Sequence, residues 1–108
     1  MYQYKELYTI DFTKVKYYLE MHNIIQKSLD FPDYYGCNWD AFWDCLTDMI
    51  GRKTHIRIIG IENIERLFGD ESNIFLDILK EFKHYNDDMY TDDIKIEIVR
   101  GNTVITLE

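Results

Sequence analysis

Apolar positions recur along this chain in two rhythms, and each predicts a different backbone. Glu6 to Phe12 alternates in the manner of a short opening strand. Thr13 is suited to cap a helix, because Val15, Tyr18, Leu19, His22, Ile25 and Leu29 follow it at helical spacing. Asp30 to Gly36 reads as a turn-rich connection holding the sole proline, Pro32. Asn38 then offers a side-chain cap for a second helix running to about Ile50. Thr54 to Ile61 has the β-branched content of a strand, through Ile56, Ile58, Ile59 and Ile61.

Glu62 to Phe68 predicts a short helix stopped by Gly69. Asp70 or Ser72 is placed to start a longer one, with Ile74, Phe75, Ile78, Leu79, Phe82 and Tyr85 on its apolar face. Ile94, Ile96 and Ile98 alternate with Lys95 and Glu97, and Gly101-Asn102 suits a two-residue hairpin turn returning through Val104, Ile105 and Leu107. Strands separated by helices predict an α/β fold, a small, largely parallel sheet packed with helices and ending in a C-terminal β-hairpin. With no linker, repeat or low-complexity tract, residues 1–108 are expected to form a single domain.

Composition narrows the function. Hydrophobic residues make up 46% of the chain, too many for a disordered acidic tail. No apolar run approaches the roughly 20 residues of a membrane helix, and Met1 to Glu6 holds none that would serve as a secretory signal. The expected location is therefore cytoplasmic. A formal net charge of −8 repels phosphate backbones and disfavours direct nucleic-acid binding. His22, His55 and His84 lack metal-ligand spacing and read as surface or half-buried side chains. On one helix Cys37 and Cys45 would lie about 12 Å apart, beyond disulfide reach. No phosphate-binding glycine loop or nucleophile constellation is present, so neither cofactor, metal nor catalysis is expected.

Residues 28–51 depart from the rest. They contain no Lys or Arg but carry Asp30, Asp33, Asp40, Asp44 and Asp48, together with both tryptophans. At about 100° per residue, Asp40, Asp44 and Asp48 share an arc of roughly 80° on the second helix. Trp39, Phe42, Leu46 and Met49 face the other way, toward a core that Cys45 borders. Trp43 falls between the two faces, and Tyr34 and Tyr35 are placed to flank the stripe. A solvated helix face would also carry acids, but aspartates four apart repel by about 0.2–0.5 kcal/mol per pair. An acid near the helix C-terminus adds an unfavourable macrodipole interaction. A helix that accepts such a cost is expected to present a surface for a basic protein. Asp40 to Asp48 spans about 12 Å along the axis, too far for one metal ion, and an exposed stripe lacks the cleft that paired catalytic carboxylates need.

The run Phe31-Pro32-Asp33-Tyr34-Tyr35-Gly36-Cys37-Asn38-Trp39-Asp40-Ala41-Phe42-Trp43-Asp44-Cys45-Leu46-Thr47 resembles the signature of the barstar family, the intracellular ribonuclease inhibitors. The resemblance is strongest over residues 29–50 and extends to chain length and element order. It implies a barstar-like fold in which the second helix and the loop before it cover the active site of a basic ribonuclease. Tyr34, Asp40, Trp43 and Asp44 are then the expected contacts, with the Asp44 carboxylate in the place of a substrate phosphate. Glu81 on the last long helix matches a further acidic contact through its Lys80-Glu81 context. Asp48 adds a charge the family pattern lacks, and joins the expected partner-binding set. Tyr85 stands in place of a second helix acid, Met49 in place of an aromatic residue, and the hairpin from Ile98 to Leu107 extends past the family's last strand. The reading is a monomeric, non-enzymatic inhibitor in a 1:1 complex. Its competitors are an immunity protein against a non-ribonuclease toxin and an acidic regulator of a basic host protein.

Overall fold

The structure, a computed structural model, describes residues 7–48, 54–87 and 94–107, with residues 85–87 as backbone. The expectations for Glu6, Met49, Ile50, Gly51 and the Tyr85 side chain lie outside them. In order along the chain come β1 (Leu7–Asp11), α1 (Tyr18–Ser28), α2 (Trp39–Thr47), β2 (Thr54–Ile59), α3 (Ile61–Leu67), α4 (Gly69–Asp87), β3 (Ile94–Arg100) and β4 (Thr103–Thr106). The sheet order is β1-β2-β3-β4. β1, β2 and β3 run parallel, joined by helical crossovers, and β4 folds back antiparallel on β3 with Ile98 opposite Ile105. This is the expected α/β fold with its C-terminal hairpin.

Alternation places one face of the sheet in the core. Tyr8, Ile10, Ile56, Ile58, Ile94, Ile96 and Ile98 are buried in one cluster with Met21 and Ile25 of α1, Phe42 and Leu46 of α2, and Phe75, Leu79 and Phe82 of α4. Within that cluster Phe42 and Phe75 have ring centroids 5.5 Å apart, and Phe75 meets Phe12 edge-on at the same separation. The opposite face gathers charge. Glu97 is buried there and pairs with His55, with Arg57 at 3.4 Å and with Lys95 at 3.8 Å. These bases hold its carboxyl below the usual range, the His55 hydrogen bond most of all.

Five local expectations are corrected. Thr13 does not cap α1. The Asp11 carboxylate accepts both the Thr13 N–H (2.9 Å) and its hydroxyl (2.7 Å). The Asn63 amide, from α3, donates to the carbonyls of Phe12 and Val15. Those bonds keep residues 12–17 out of the helix, which starts at Tyr18 with Glu20 accepting the N–H groups of Lys16 and Tyr17. Leu19 is consequently 57% exposed, and Met21 takes the core position instead. Ile61 begins α3 rather than ending β2, because Gly60 turns left-handed at φ 78°. A Cβ on Gly60 would lie 2.6 Å from the Thr13 nitrogen, so only glycine fits the junction. The long helix α4 starts at Gly69, with the Ser72 hydroxyl donating back to the Gly69 carbonyl, and Ile74 stays exposed.

Candidate functional site

Asn38 caps α2 as its sequence position implies. Its side-chain oxygen accepts the Ala41 N–H at 2.8 Å, while its amide donates to the Gly36 carbonyl. The loop leading to the cap begins and ends with residues in the left-handed region, Asp30 (φ 57°) and Cys37 (φ 54°). Bonds from Gln26 Nε2 and the Tyr35 N–H to the Pro32 carbonyl tie it down between them. This arrangement turns Tyr35 inward and leaves Tyr34 78% exposed. Of the two neighbouring tyrosines, only Tyr34 is available to a partner, and the expectation that Tyr35 flanks the stripe is corrected.

Along α2, Phe42 and Leu46 are fully buried while Asp40 and Asp44 are exposed. α4 packs beside α2 and brings Glu81 and Ile78 to the same place. Trp39, Asp40, Trp43, Asp44, Ile78 and Glu81 together line one cleft of about 420 Å³. Asp48 is not part of it. It follows α2 as the C-cap residue and lines a second concavity with Asp30, Phe31 and Cys45. Burial, together with the charges of Asp48 and Asp44, pushes the Cys45 thiol up and keeps it protonated. Both cysteines are free.

No cation pairs with the acids of the cleft among the described residues. Among the described residues the ion pairs lie elsewhere, in the Glu97 cluster and in the two-pronged contact of Arg100 with Glu65 at 2.8 Å. α2 has no basic residue in its last turn. Asp40, Asp44 and Glu81 thus present unpaired oxygens beside two indole rings. That combination suits cationic side chains, through charge-assisted hydrogen bonds and stacking on the rings. No group of three or more potential metal ligands occurs among the described residues.

Residues 6–99 match the family described as barstar (barnase inhibitor). The chain belongs to the barstar family. A relative from Bacillus subtilis (strain 168), named "Putative ribonuclease inhibitor YrdF", is 34% identical over 61 residues, 56% of this chain and 67% of that protein. The barstar match takes in β1 through most of β3, both helices of the cleft and the loop carrying Tyr34; β4 lies beyond it.

Beneath the barstar cleft lies a network that sequence reasoning missed. His22, expected at or near the surface, is fully buried. Its Nδ1 lies 2.7 Å from the Tyr35 hydroxyl and its Nε2 2.9 Å from that of Tyr18. The Glu71 carboxylate accepts the Trp39 indole N–H, and burial, together with the Glu71 charge, raises the Tyr18 hydroxyl above its ordinary range. Either neutral tautomer satisfies both hydroxyls, one ring nitrogen donating and the other accepting. The Trp39 ring packs on the imidazole at 4.5 Å. The network therefore fastens the loop, α1, α2 and α4 together under the acidic residues. Its sequence signal is slight, a histidine on an apolar helix face.

Burial holds the His22 imidazole below its ordinary 6.5, and the nearby Glu71 charge offsets this only in part. Below about pH 6.5 the unfolded chain therefore binds a proton that the folded chain does not, and stability is lost as the pH is lowered. The depressed carboxyls of Asp11, Glu65 and Glu97 withdraw their contributions only at lower pH, below ordinary values of 3.8 to 4.5. Urea unfolding followed from about pH 7.5 to about pH 5.5 should show this loss, and a smaller one in His22→Gln. Equal slopes in the two proteins would remove His22 as the cause.

Proposed function

We propose that this protein is a stoichiometric inhibitor of a small basic ribonuclease. The cleft between α2 and α4, with Tyr34 on the loop before α2, covers the nuclease active site. The observation that carries this reading is the convergence of Asp40, Asp44 and Glu81 from two helices on one aromatic-lined cleft, free of ion pairs among the described residues. A ribonuclease grips a polyanion through arginine, lysine and histidine side chains, and a fixed carboxylate satisfies the same donors. In this reading Asp44 occupies the place of a substrate phosphate. Asp40, Trp43 and Glu81 surround the cations beside it, and Asp48 contributes charge at the margin. The family description and the name of the Bacillus subtilis relative support the same activity. So does the net charge of −8, which attracts a basic partner over a distance.

Titrating the protein into a basic ribonuclease such as barnase tests the proposal. RNA cleavage should fall linearly to zero at one equivalent. Association should approach about 10⁸–10⁹ M⁻¹s⁻¹ at low salt and slow steeply as ionic strength rises. Undiminished cleavage with the protein in excess over a panel of such enzymes would overturn the assignment.

A further inference from the structure

The connections leaving β1 and β2 flank a cavity of about 720 Å³ that shares no lining residue with the acidic cleft. It lies at the carboxyl ends of two adjacent parallel strands, the end at which open α/β sheets hold their ligands. Lys14 and Lys16 reach it from the stretch after β1, and Asn63 and Arg66 from α3 after β2. Tyr17 also lines it and is 69% exposed, and Glu20 is the one carboxylate among its described lining residues.

The charge of this cavity runs against that of the molecule. The chain carries a net −8, yet here three cations face one carboxylate. None of the three forms an ion pair among the described residues. Hydrogen bonds from Thr13, and less strongly the charge of Lys14, hold the nearby Asp11 carboxyl below its ordinary value. The Glu20 carboxylate is engaged by the N–H groups of Lys16 and Tyr17. Lys16 immediately precedes the capping residue of α1, where the helix dipole favours an anion and opposes a cation. The frame is built by one residue. The Asn63 amide holds the carbonyls of Phe12 and Val15, and its oxygen accepts an Arg66 N–H at 2.6 Å. Asn63 thus orients both walls, and Arg66 keeps further N–H donors without a protein acceptor among the described residues.

We infer that this cavity binds the phosphate group of a small molecule, with Arg66, Lys14 and Lys16 as its anion-binding side chains. Charge selects phosphate. A phosphomonoester carries about −1.5 to −2 at neutral pH, which three cations offset by one carboxylate match and a single carboxylate ligand does not. The planar Arg66 guanidinium suits two of the phosphate oxygens, and the lysine ammonium groups suit the others. Size selects a small molecule. The volume falls within the roughly 300–1,000 Å³ of small-ligand pockets, whereas a long polyanion would meet the net −8 of the whole molecule. The exposed Tyr17 ring offers an apolar surface to the organic part. The cavity and the cleft have no residue in common, so this site stands apart from the inhibitor reading.

Nuclear magnetic resonance of the isotope-labelled full chain tests the site, at constant ionic strength, with inorganic phosphate, glycerol phosphate and uridine monophosphate. Amide signals of residues 13–20 and 60–66 should shift and saturate with a Kd on the order of 1 mM. The tightest of the three names the source of the phosphate group. Acetate, the carboxylate control, should leave those signals in place. Lys16 and Arg66 are exposed, so Lys16→Gln and Arg66→Gln should keep the wild-type circular dichroism. Each should raise the Kd for phosphate by about tenfold, the effect of losing a charge-assisted hydrogen bond. Shifts that fail to saturate by about 50 mM would overturn the proposal. So would an equal response to acetate, or binding indifferent to both substitutions.

Discussion

Replacing Asp44 by Ala is expected to weaken ribonuclease binding by about 2–5 kcal/mol, a loss of roughly thirtyfold to several thousandfold in affinity. Its side chain is exposed in the free protein and lines the cleft with no ion pair among the described residues. In the complex its loss would leave buried cations on the nuclease without a counter-charge, and that stranding accounts for most of the cost. The free protein should respond in the opposite sense. Asp44 sits in the second half of α2, where a negative charge opposes the helix dipole, and it repels Asp40 one turn earlier. Alanine removes both penalties and has the higher helix propensity, so unfolding should become harder by a few tenths of a kcal/mol or more. Asp40 lies in the first turn, where the dipole favours it, and Asp40→Ala should bring no such gain. Calorimetric titration and urea unfolding of the two variants check both signs. An Asp44→Ala protein that binds as tightly as wild type would end the assignment of this residue as the anchor.

The opposition of those expected signs is the feature of α2 that the sequence displays most openly. A helix selected for stability alone would place lysine in its last turn; α2 places Asp44 there and ends on Asp48. What the helical wheel leaves out is the second wall. Glu81 and Ile78 reach the cleft from α4, and no spacing along α2 locates them; the family resemblance supplied Glu81, but nothing supplied Ile78. The wheel also placed Asp48 with Asp40 and Asp44. Each step of four residues rotates by about 40°, however, and by the second step the side chain has turned toward Cys45. Trp39 was assigned to the core by the same wheel. It does pack on His22 and Phe75, but the large indole also reaches the cleft wall.

The fold was readable where local signals act alone and obscure where distant atoms intervene. The β3–β4 hairpin follows from alternating isoleucines and Gly101-Asn102, all within fourteen residues. The start of α1 does not. Thr13 is a good cap by type, but Asn63, fifty residues away, takes the carbonyls before α1 and holds that stretch in a turn outside the helix. Tyr34 and Tyr35 are chemically identical neighbours. The loop's bonds to the Pro32 carbonyl and the His22 ring beneath it decide that the second turns inward. In each case a tertiary hydrogen bond overrides a local preference of about 1 kcal/mol.

Phe42→Ala should separate support from recognition, with the pattern of Asp44→Ala inverted. The Phe42 ring is fully buried under α2, with ring centroids 6.2 Å from Phe31, 5.7 Å from Trp39 and 5.5 Å from Phe75. Truncating a buried phenylalanine costs about 3–5 kcal/mol, through lost transfer free energy and the cavity left behind. Domains of this size have about 5–15 kcal/mol in total, so urea should unfold the variant at a far lower concentration. Recognition should suffer less. While the folded fraction stays near unity, affinity falls only as far as α2 shifts into the cavity. The nuclease, binding only the folded form, should restore stability by about 4 kcal/mol at a thousandfold excess over Kd. Unfolding curves with and without the ribonuclease measure both effects. A variant as stable as wild type would contradict the place of this ring at the centre of the core. If it stayed folded but bound as weakly as Asp44→Ala, the aromatic stack would itself set the spacing of the carboxylates.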